Sequence, residues 1–344
     1  MLTILGECWG RDVGQKPEQL FENIFIINVP LPGSPLKNIN SYLIKGTDRN
    51  LLIDTGFNTP VCYDVLNKGL IDLNADMRQT DIFLTHLHSD HSGLALSIAS
   101  DNTKVFIGEA DKKGMENFFK TEHWNLIDAQ FRAFGFPQVE LDENKSKNPA
   151  SIYMPANQGE YMGICDGFVI DLGNYRLRCI DTPGHTPGHM CVYDEDHKIL
   201  FSGDHIIFDI TPNITSWMNV ENSLGSYLQS LNKIKKLNIE FTLSAHRKAM
   251  GNCHTRIDEL IHHHNVRINE VYQIVSNFGG ITTYDAASKM VWSIRAKSWT
   301  EFPVAQKWFA VGEASAHLEY LRCKGMIKRD LINGKYFYQV NNPF

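Results

Sequence analysis

Apolar residues in the first third of the chain come in short runs broken by turn formers. Asn23 to Val29 and Asn40 to Ile44 are rich in Ile, Val, Phe and Tyr, a Pro/Gly-rich turn at Pro30 to Pro35 separates them, and Asn50-Leu-Leu-Ile-Asp-Thr-Gly follows as a third run. This is the punctuation of successive strands. A helix is expected near residues 60 to 70, a buried strand at Asp81-Ile-Phe-Leu-Thr, a helix from Ser92 through Leu94 to Ile98, and another strand at Thr103-Lys-Val-Phe-Ile-Gly. Strand, loop, helix, strand is the rhythm of a layered α/β domain. It returns later, with strands expected at Phe168-Val-Ile-Asp, Tyr175 to Ile180, Cys191-Val-Tyr and Ile199-Leu-Phe-Ser, and a helix over Asn222 to Leu237. This second half closes near His246.

Two stretches read differently. Between Ala110 and Gly173 regularity weakens and aromatics gather (Phe118, Phe119, Trp124, Phe131, Phe134, Phe136, Tyr153, Tyr161), as expected of a helical insertion with a small core of its own or of a cap over an active site. After about residue 255 the spacing turns helical, over Arg256 to Phe278, Tyr284 to Met290 and Gly312 to Lys324. Asn333-Gly334 then sits between alternating apolar positions, a strong hairpin signal. Helix, helix, hairpin is the outline of a winged helix. The expected division is a domain over 1–255, with 110–173 as insertion or cap, and a helical and winged-helix domain over 256–344.

A chain of 344 residues with 43% hydrophobic and 21% charged positions suits a globular protein of two domains. The opening Met-Leu-Thr-Ile-Leu-Gly-Glu-Cys-Trp has no basic segment followed by a long apolar stretch, so neither a secretory signal nor a membrane anchor is expected, and the cytoplasm is the expected location. Seven scattered cysteines (Cys8, Cys62, Cys165, Cys179, Cys191, Cys253, Cys323), never in a C-x-x-C pair, suit reduced, mostly buried thiols. A net charge of −6 argues against broad nucleic-acid binding. Only the tail is mildly basic, with nine Lys/Arg against four Asp/Glu from Ala286 onward.

The chemistry concentrates in four polar turns that each follow an apolar run. Thr85-His86-Leu87-His88-Ser89-Asp90-His91 packs three imidazoles and a carboxylate onto one loop, where they can converge on a metal ion at little cost in loop closure. Imidazole with carboxylate suits Zn²⁺, Fe²⁺ or Mn²⁺. Asp181-Thr-Pro-Gly-His185-Thr-Pro-Gly-His189 offers a further histidine ligand, Ser202-Gly-Asp204-His205 a carboxylate able to bridge two metals, and Thr242-Leu-Ser-Ala-His246 a lone histidine. The run His262-His263-His264 invites a metal reading too, but consecutive helical residues point in different directions.

In these motifs the sequence resembles the metallo-β-lactamase superfamily: T-H-L-H-S-D-H-S-G, I-D-T-G, T-P-G-H-T-P-G-H, S-G-D and the late lone histidine follow in the family's order over roughly residues 20 to 250. The resemblance implies an αββα sandwich, an α/β fold carrying here a small C-terminal α+β winged-helix domain. It implies His86, His88 and His185 on one metal, Asp90, His91 and His246 on a second, and Asp204 bridging them. His189 is then a structural hydrogen-bonding residue and Asp54 a supporting one. It also implies a dinuclear hydrolase, glyoxalase II-like or lactamase-beta-like, in which a metal-bridging hydroxide attacks an ester, thioester or phosphoester and Asp90 orients the nucleophile. Two divalent ions are expected, Zn foremost, with Fe or Mn as alternatives. The glyoxalase II substrate-binding C-terminal domain is not recognisable here. The winged-helix tail instead resembles that of lactamase-beta-like endoribonucleases, which keeps nucleic acid and homodimerisation among the readings beside a small-molecule substrate. The alternatives are such an endoribonuclease, a mono-iron persulfide dioxygenase-like enzyme, and a ligand-sensing DNA-binding regulator.

Overall fold

The computed structural model describes residues 16–145, 148–155, 159–293 and 296–341; the opening segment with Cys8 lies outside them. The chain divides into two compact units, one of Met1–Glu116, Tyr153–Pro212 and Ser230–Ile257, the other of Asn117–Ile152, Asn213–Gln229 and Asp258–Phe344. Among the described residues no helix is long and apolar enough to cross a membrane. Of the described cysteines, Cys62, Cys179, Cys191 and Cys253 are buried, whereas Cys165 and Cys323 are exposed, and all are free thiols.

The first unit holds two sheets. In one, β1 (Glu18–Phe21), β2 (Ile24–Pro30), β3 (Asn38–Lys45) and β4 (Asn50–Ile53) form an antiparallel meander, and β5 (Thr80–Leu84), β6 (Val105–Gly108) and β7 (Met162–Ile164) continue it in parallel. The other runs β13 (Met250–Gly251), β12 (Phe241–Ser244), β11 (Ile199–Gly203), β10 (Met190–Asp194), β9 (Arg176–Asp181), β8 (Val169–Asp171), antiparallel except for the β11–β12 pair. Both sheets supply one apolar core. Tyr42, Ile44, Leu51, Ile53 and Phe83 come from the first, and Leu177, Cys179, Val192, Phe201 and Leu243 from the second. Strands β5, β10 and β11 are buried along their whole length, which is why they read as continuous apolar runs rather than alternating ones.

The strand directions place the chemistry. β4, β5 and β6 are parallel, so the loops at Asp54, His86 and Glu109 leave one edge of their sheet. β9 and β11 are both antiparallel to β10, and β11 is parallel to β12, so the turns after Asp181, Gly203 and Ser244 leave one edge of theirs.

The helix expected over 92–98 is instead two single turns, Ser89–Ser92 and Ala95–Ile98. Between them the Leu94 N–H donates to Gly56 O at 3.1 Å and Thr55 Oγ1 at 3.3 Å. A Cβ on Gly93 would come within 2.6–2.7 Å of Asn58 N and Gly56 O. The turn after β4 thus takes hydrogen bonds that a continuous helix would keep for itself. The interval 110–173 also proves composite, since β7 joins the first sheet beyond β6 and β8 edges the second.

The second unit contains helices Thr121–Ala133, Gln138–Lys145, Thr283–Lys289 and Val304–Cys323, most of Cys253–Phe278, and a hairpin of β14 (Ile327–Ile332) and β15 (Lys335–Val340). Asn333 (φ 50°) and Gly334 (φ 76°) supply the two left-handed residues that a tight hairpin turn demands. An isolated bridge from Ile281 to Tyr338 extends the hairpin. The aromatics of the irregular stretch pack here, with Phe131 stacked on Trp308 at 4.6 Å, Phe136 edge-on to Tyr284 and the Lys307 ammonium paired with Glu140 at 2.6 Å. In the histidine run His262 is exposed, His263 half-buried and His264 buried. His264 lies edge-on to Tyr227, with its Nδ1 3.3 Å from His317 Nε2.

Candidate metal centre

The loop after β5 is shaped by Asp54, itself in the left-handed region (φ 59°) at the end of β4. Its Oδ1 accepts the Thr85 N–H (2.9 Å), and its Oδ2 accepts the Thr85 hydroxyl (2.8 Å) and His91 Nδ1–H (2.8 Å). Thr85 Oγ1, its own proton given to Asp54, lies 3.1 Å from His86 Nδ1. His88 precedes the turn Ser89–Ser92, and its carbonyl accepts the His91 and Ser92 N–H groups. His86, His88 and His91 are thereby fixed on one short loop.

The other sheet brings its turns to the same place. Thr182 N–H donates to His189 O and closes the Pro/Gly-rich loop that carries His185. His189 accepts the Asp204 N–H at Nε2 (3.2 Å) and contacts Thr182 Oγ1 through Nδ1 (2.8 Å), so it aims Asp204 rather than facing the cluster. Gly203 (φ 52°) has no room for a side chain, since a Cβ would meet His189 Nε2 and Thr85 at 2.8 Å. His246 pairs across to Ile39 of β3, and its Nδ1–H donates to Asn38 O at 2.9 Å. Buried Asn40 holds this turn, with its N–H on Ala245 O and its amide on Ser244 O and Arg247 O.

These supports bring together all seven residues expected from the sequence. Among the described residues, three overlapping groups could hold metal ions, namely His86, His88 and His185; His86, His91 and Asp204; and Asp90, His91 and His246, the donor atoms within each lying within 4.8 Å of one another. His88 Nδ1 is 2.9 Å from His86 Nε2 and 3.0 Å from His185 Nε2. His246 Nε2 is 3.2 Å from His91 Nε2, 3.5 Å from Asp90 Oδ2 and 3.3 Å from Asp204 Oδ1. Asp204 reaches both sides, since its Oδ2 is 3.5 Å from His185 Nε2.

The donor set fits cations. His91 and His246 each commit Nδ1–H to a neighbouring oxygen, so in the neutral rings two lone pairs face each other across 3.2 Å. That arrangement needs a positive charge between them. Asp204 Oδ1 is buried with no hydrogen bond from the described residues, as an oxygen reserved for a cation would be. Burial pushes His86 and His88 well below the usual imidazole range, leaving them neutral donors. Burial also works against charge on His91, but Asp54, Asp204 and Asp90 outweigh it and raise that histidine to about 10. Burial alone would raise Asp204, yet His246, His91, His185 and His88 hold its carboxyl below the usual range. Asp54, Asp204 and Asp90 thus favour positive charge at this place.

Two supporting residues escape a reading of the sequence. Asn40 looks like one polar residue in a strand. Asp111 looks like an ordinary acidic residue in the first turn of the helix Glu109–Asn117, yet its carboxylate joins the His86–His88 loop to the His185 loop. Burial raises Asp111 to about 7 despite its hydrogen bonds.

Facing sheets with histidines and aspartates gathered at one edge define a candidate metal-binding site, and the similarities to known proteins indicate a metal-dependent hydrolase. A model of the Metallo-beta-lactamase superfamily matches residues 35–246, which include all seven clustered residues, and the chain belongs to that superfamily. Among similar proteins, the human Acyl-coenzyme A thioesterase MBLAC2 is 26% identical over 62% of this chain and 74% of its own. Beta-lactamase-like protein 2 homolog of Caenorhabditis elegans is 24% identical over 76% of this chain and 74% of its own. A solved metallo-beta-lactamase family protein from Thermus thermophilus is 27% identical, with a TM-score of 0.77 over 93% of this chain and 99% of that one. A beta-lactamase domain protein from Burkholderia ambifaria shares the fold at a TM-score of 0.81 and 23% identity over 96% and 95%.

Proposed function

We propose that His86, His88 and His185 hold one divalent cation, that Asp90, His91 and His246 hold a second, and that Asp204 serves both, in a hydrolase of acyl thioesters or esters. The observation that carries this reading is that His91 and His246, each with Nδ1 committed to an oxygen, bring their Nε2 atoms to 3.2 Å from each other beside the buried Asp204 carboxylate. An all-nitrogen and oxygen donor set of this kind suits zinc foremost. Bound there, two such ions would lower the pKa of a water and polarise the substrate's carbonyl or phosphoryl oxygen. The chain's own contribution is orientation. Asp54, Asn38 and Thr85 fix the far nitrogens of His91, His246 and His86, so that the near ones face inward. Asp90 is the part-exposed carboxylate of the group, with its side chain 13% exposed, and can hold a proton of the attacking water while orienting it.

The thioester preference draws on the thioesterase named among the relatives, with phosphoesters as the alternative. The C-terminal helices and hairpin, extended by the Ile281–Tyr338 bridge, have the order expected of a winged helix, and we assign them a packing role. The test is a panel of acyl-CoA thioesters, carboxylic esters and phosphodiesters with zinc-reconstituted protein. Thioester or ester hydrolysis that a chelator abolishes and zinc restores is expected. Oxygen-dependent oxidation of a persulfide by iron-loaded protein, with no hydrolysis of any panel member, would overturn the reading.

A further inference from the structure

We infer that Asp111 is the positioning residue that locks the two loops of the His86, His88 and His185 triad together, an inference that rests on the two-metal reading above. The side chain is fully buried, at 0% exposure. Its Oδ2 accepts the Leu87 N–H at 3.0 Å and the Thr186 hydroxyl at 2.6 Å, and its Oδ1 accepts the Gly188 N–H at 2.6 Å. Leu87 lies between His86 and His88, and Thr186 follows His185. One carboxylate therefore grips the chain beside all three triad members.

The contact is built at the expense of side chains. A Cβ on Gly188 would come within 2.3 Å of Asp111 N and 2.9 Å of its carboxylate, and a Cβ on Gly108 within 2.1 Å of Gly188 O. Both positions must be bare for the loop to close on Asp111. The chemistry also requires a carboxylate. The Leu87 and Gly188 N–H groups are backbone donors that cannot turn round, and they address different oxygens of Asp111. An amide presents only one oxygen, so Asn at 111 would set its NH₂ against one of these fixed N–H groups. A buried carboxylate answered, among the described residues, by three neutral donors and no cation is costly in a merely structural role. Beside two divalent ions it gains compensating charge without touching either.

The test compares wild type, Asp111→Asn and Asp111→Glu, first stripped of metal and then titrated with zinc against a chromophoric chelator. Cobalt(II) absorption spectra and melting of the metal-free proteins accompany the titration. Supporting partners of metal ligands change affinity by about 10–100-fold. Asp111→Asn is expected to lose about that much at one of the two zinc steps, with an altered cobalt spectrum and a smaller change at the other step. Asp111→Glu, which keeps the carboxylate, should recover part of the loss. Should Asp111→Asn fail to fold, Thr186→Val removes only the third donor and should give a several-fold loss at the same step. Wild-type affinity with an unchanged spectrum in the variant that folds would overturn the inference, as would equal losses at both steps tracking a fall in metal-free melting temperature. In either case the wild type still takes up two ions, so the proposed function stands. A wild type that takes up none overturns both.

Discussion

Replacing Asp54 by Asn removes one charge, keeps the shape, and should reverse the tautomer of His91. The Thr85 N–H, at 2.9 Å from Oδ1, is a fixed donor, so the amide oxygen must stay on that side and the NH₂ must occupy the place of Oδ2. There it meets His91 Nδ1 and Thr85 Oγ1, both at 2.8 Å from Oδ2 in the wild type. Thr85 Oγ1 can turn to accept. His91 can accept at Nδ1 only by moving its proton to Nε2, the atom facing His246 Nε2 and Asp204. The donor atom is then capped, as when a buried aspartate that sets a catalytic histidine's tautomer becomes asparagine. A hydrogen bond to a charged group contributes about 1.5–3 kcal/mol. That matches a 10–100-fold fall in metal affinity from losing a ligand's partner, since tenfold corresponds to about 1.4 kcal/mol. Stepwise zinc titration of metal-free wild type and Asp54→Asn measures this directly. The zinc step involving Asp90, His91 and His246 should weaken by that factor, while the triad of His86, His88 and His185 changes less. Two unaltered binding steps in a folded variant would refute the tautomer argument.

Three further outcomes are expected. Asp90→Asn should lower turnover by about 10²-fold or more, because misplacing the nucleophile costs that order of rate, while zinc at the other triad is retained; near-normal turnover would remove Asp90 from the mechanism. Asn40→Ala frees the turn at Ser244 and Arg247, so its zinc affinity should fall by roughly tenfold at the His246 step, and chelator competition that matches wild type would show that Asn40 does not hold the turn. Burial holds His317 down to about 4, below its unfolded value, so between about pH 6.5 and pH 4 the unfolded chain binds more protons and stability falls as pH falls. The window is worth on the order of 3 kcal/mol. In urea unfolding at several pH values, His317→Gln should show a shallower slope over that window, and an identical slope would mean that His317 does not titrate there.

What could be read from the sequence follows from how far each contact reaches along the chain. His86, His88, Asp90 and His91 stand on one loop, and their crowding is itself the signal. Asp204 and His246 are single residues after strands, which only the order of motifs could pick out. Asp111 and Asn40 gave no sign, because their partners lie at Leu87, Thr186 and Gly188 in one case and Ser244 and Arg247 in the other. The aromatics around Phe131 suggested a local core, and their partners prove to include Tyr284 and Trp308, more than a hundred positions later. The break at Gly93 was hidden for the same reason, since the turn after β4 captures Leu94 N–H from a distant segment. The hairpin at Asn333-Gly334 was legible because two adjacent residues that tolerate positive φ are a local requirement.

On the function proposed above, seven histidine and aspartate donors form a two-metal site. Elemental analysis and calorimetric titration of metal-free protein reconstituted with zinc test it most directly. Close to two zinc ions per chain are expected, with both steps lost when His91 and His185 are replaced together by Ala. A stoichiometry that stays at one with zinc in excess, or no uptake by the folded protein, would contradict it.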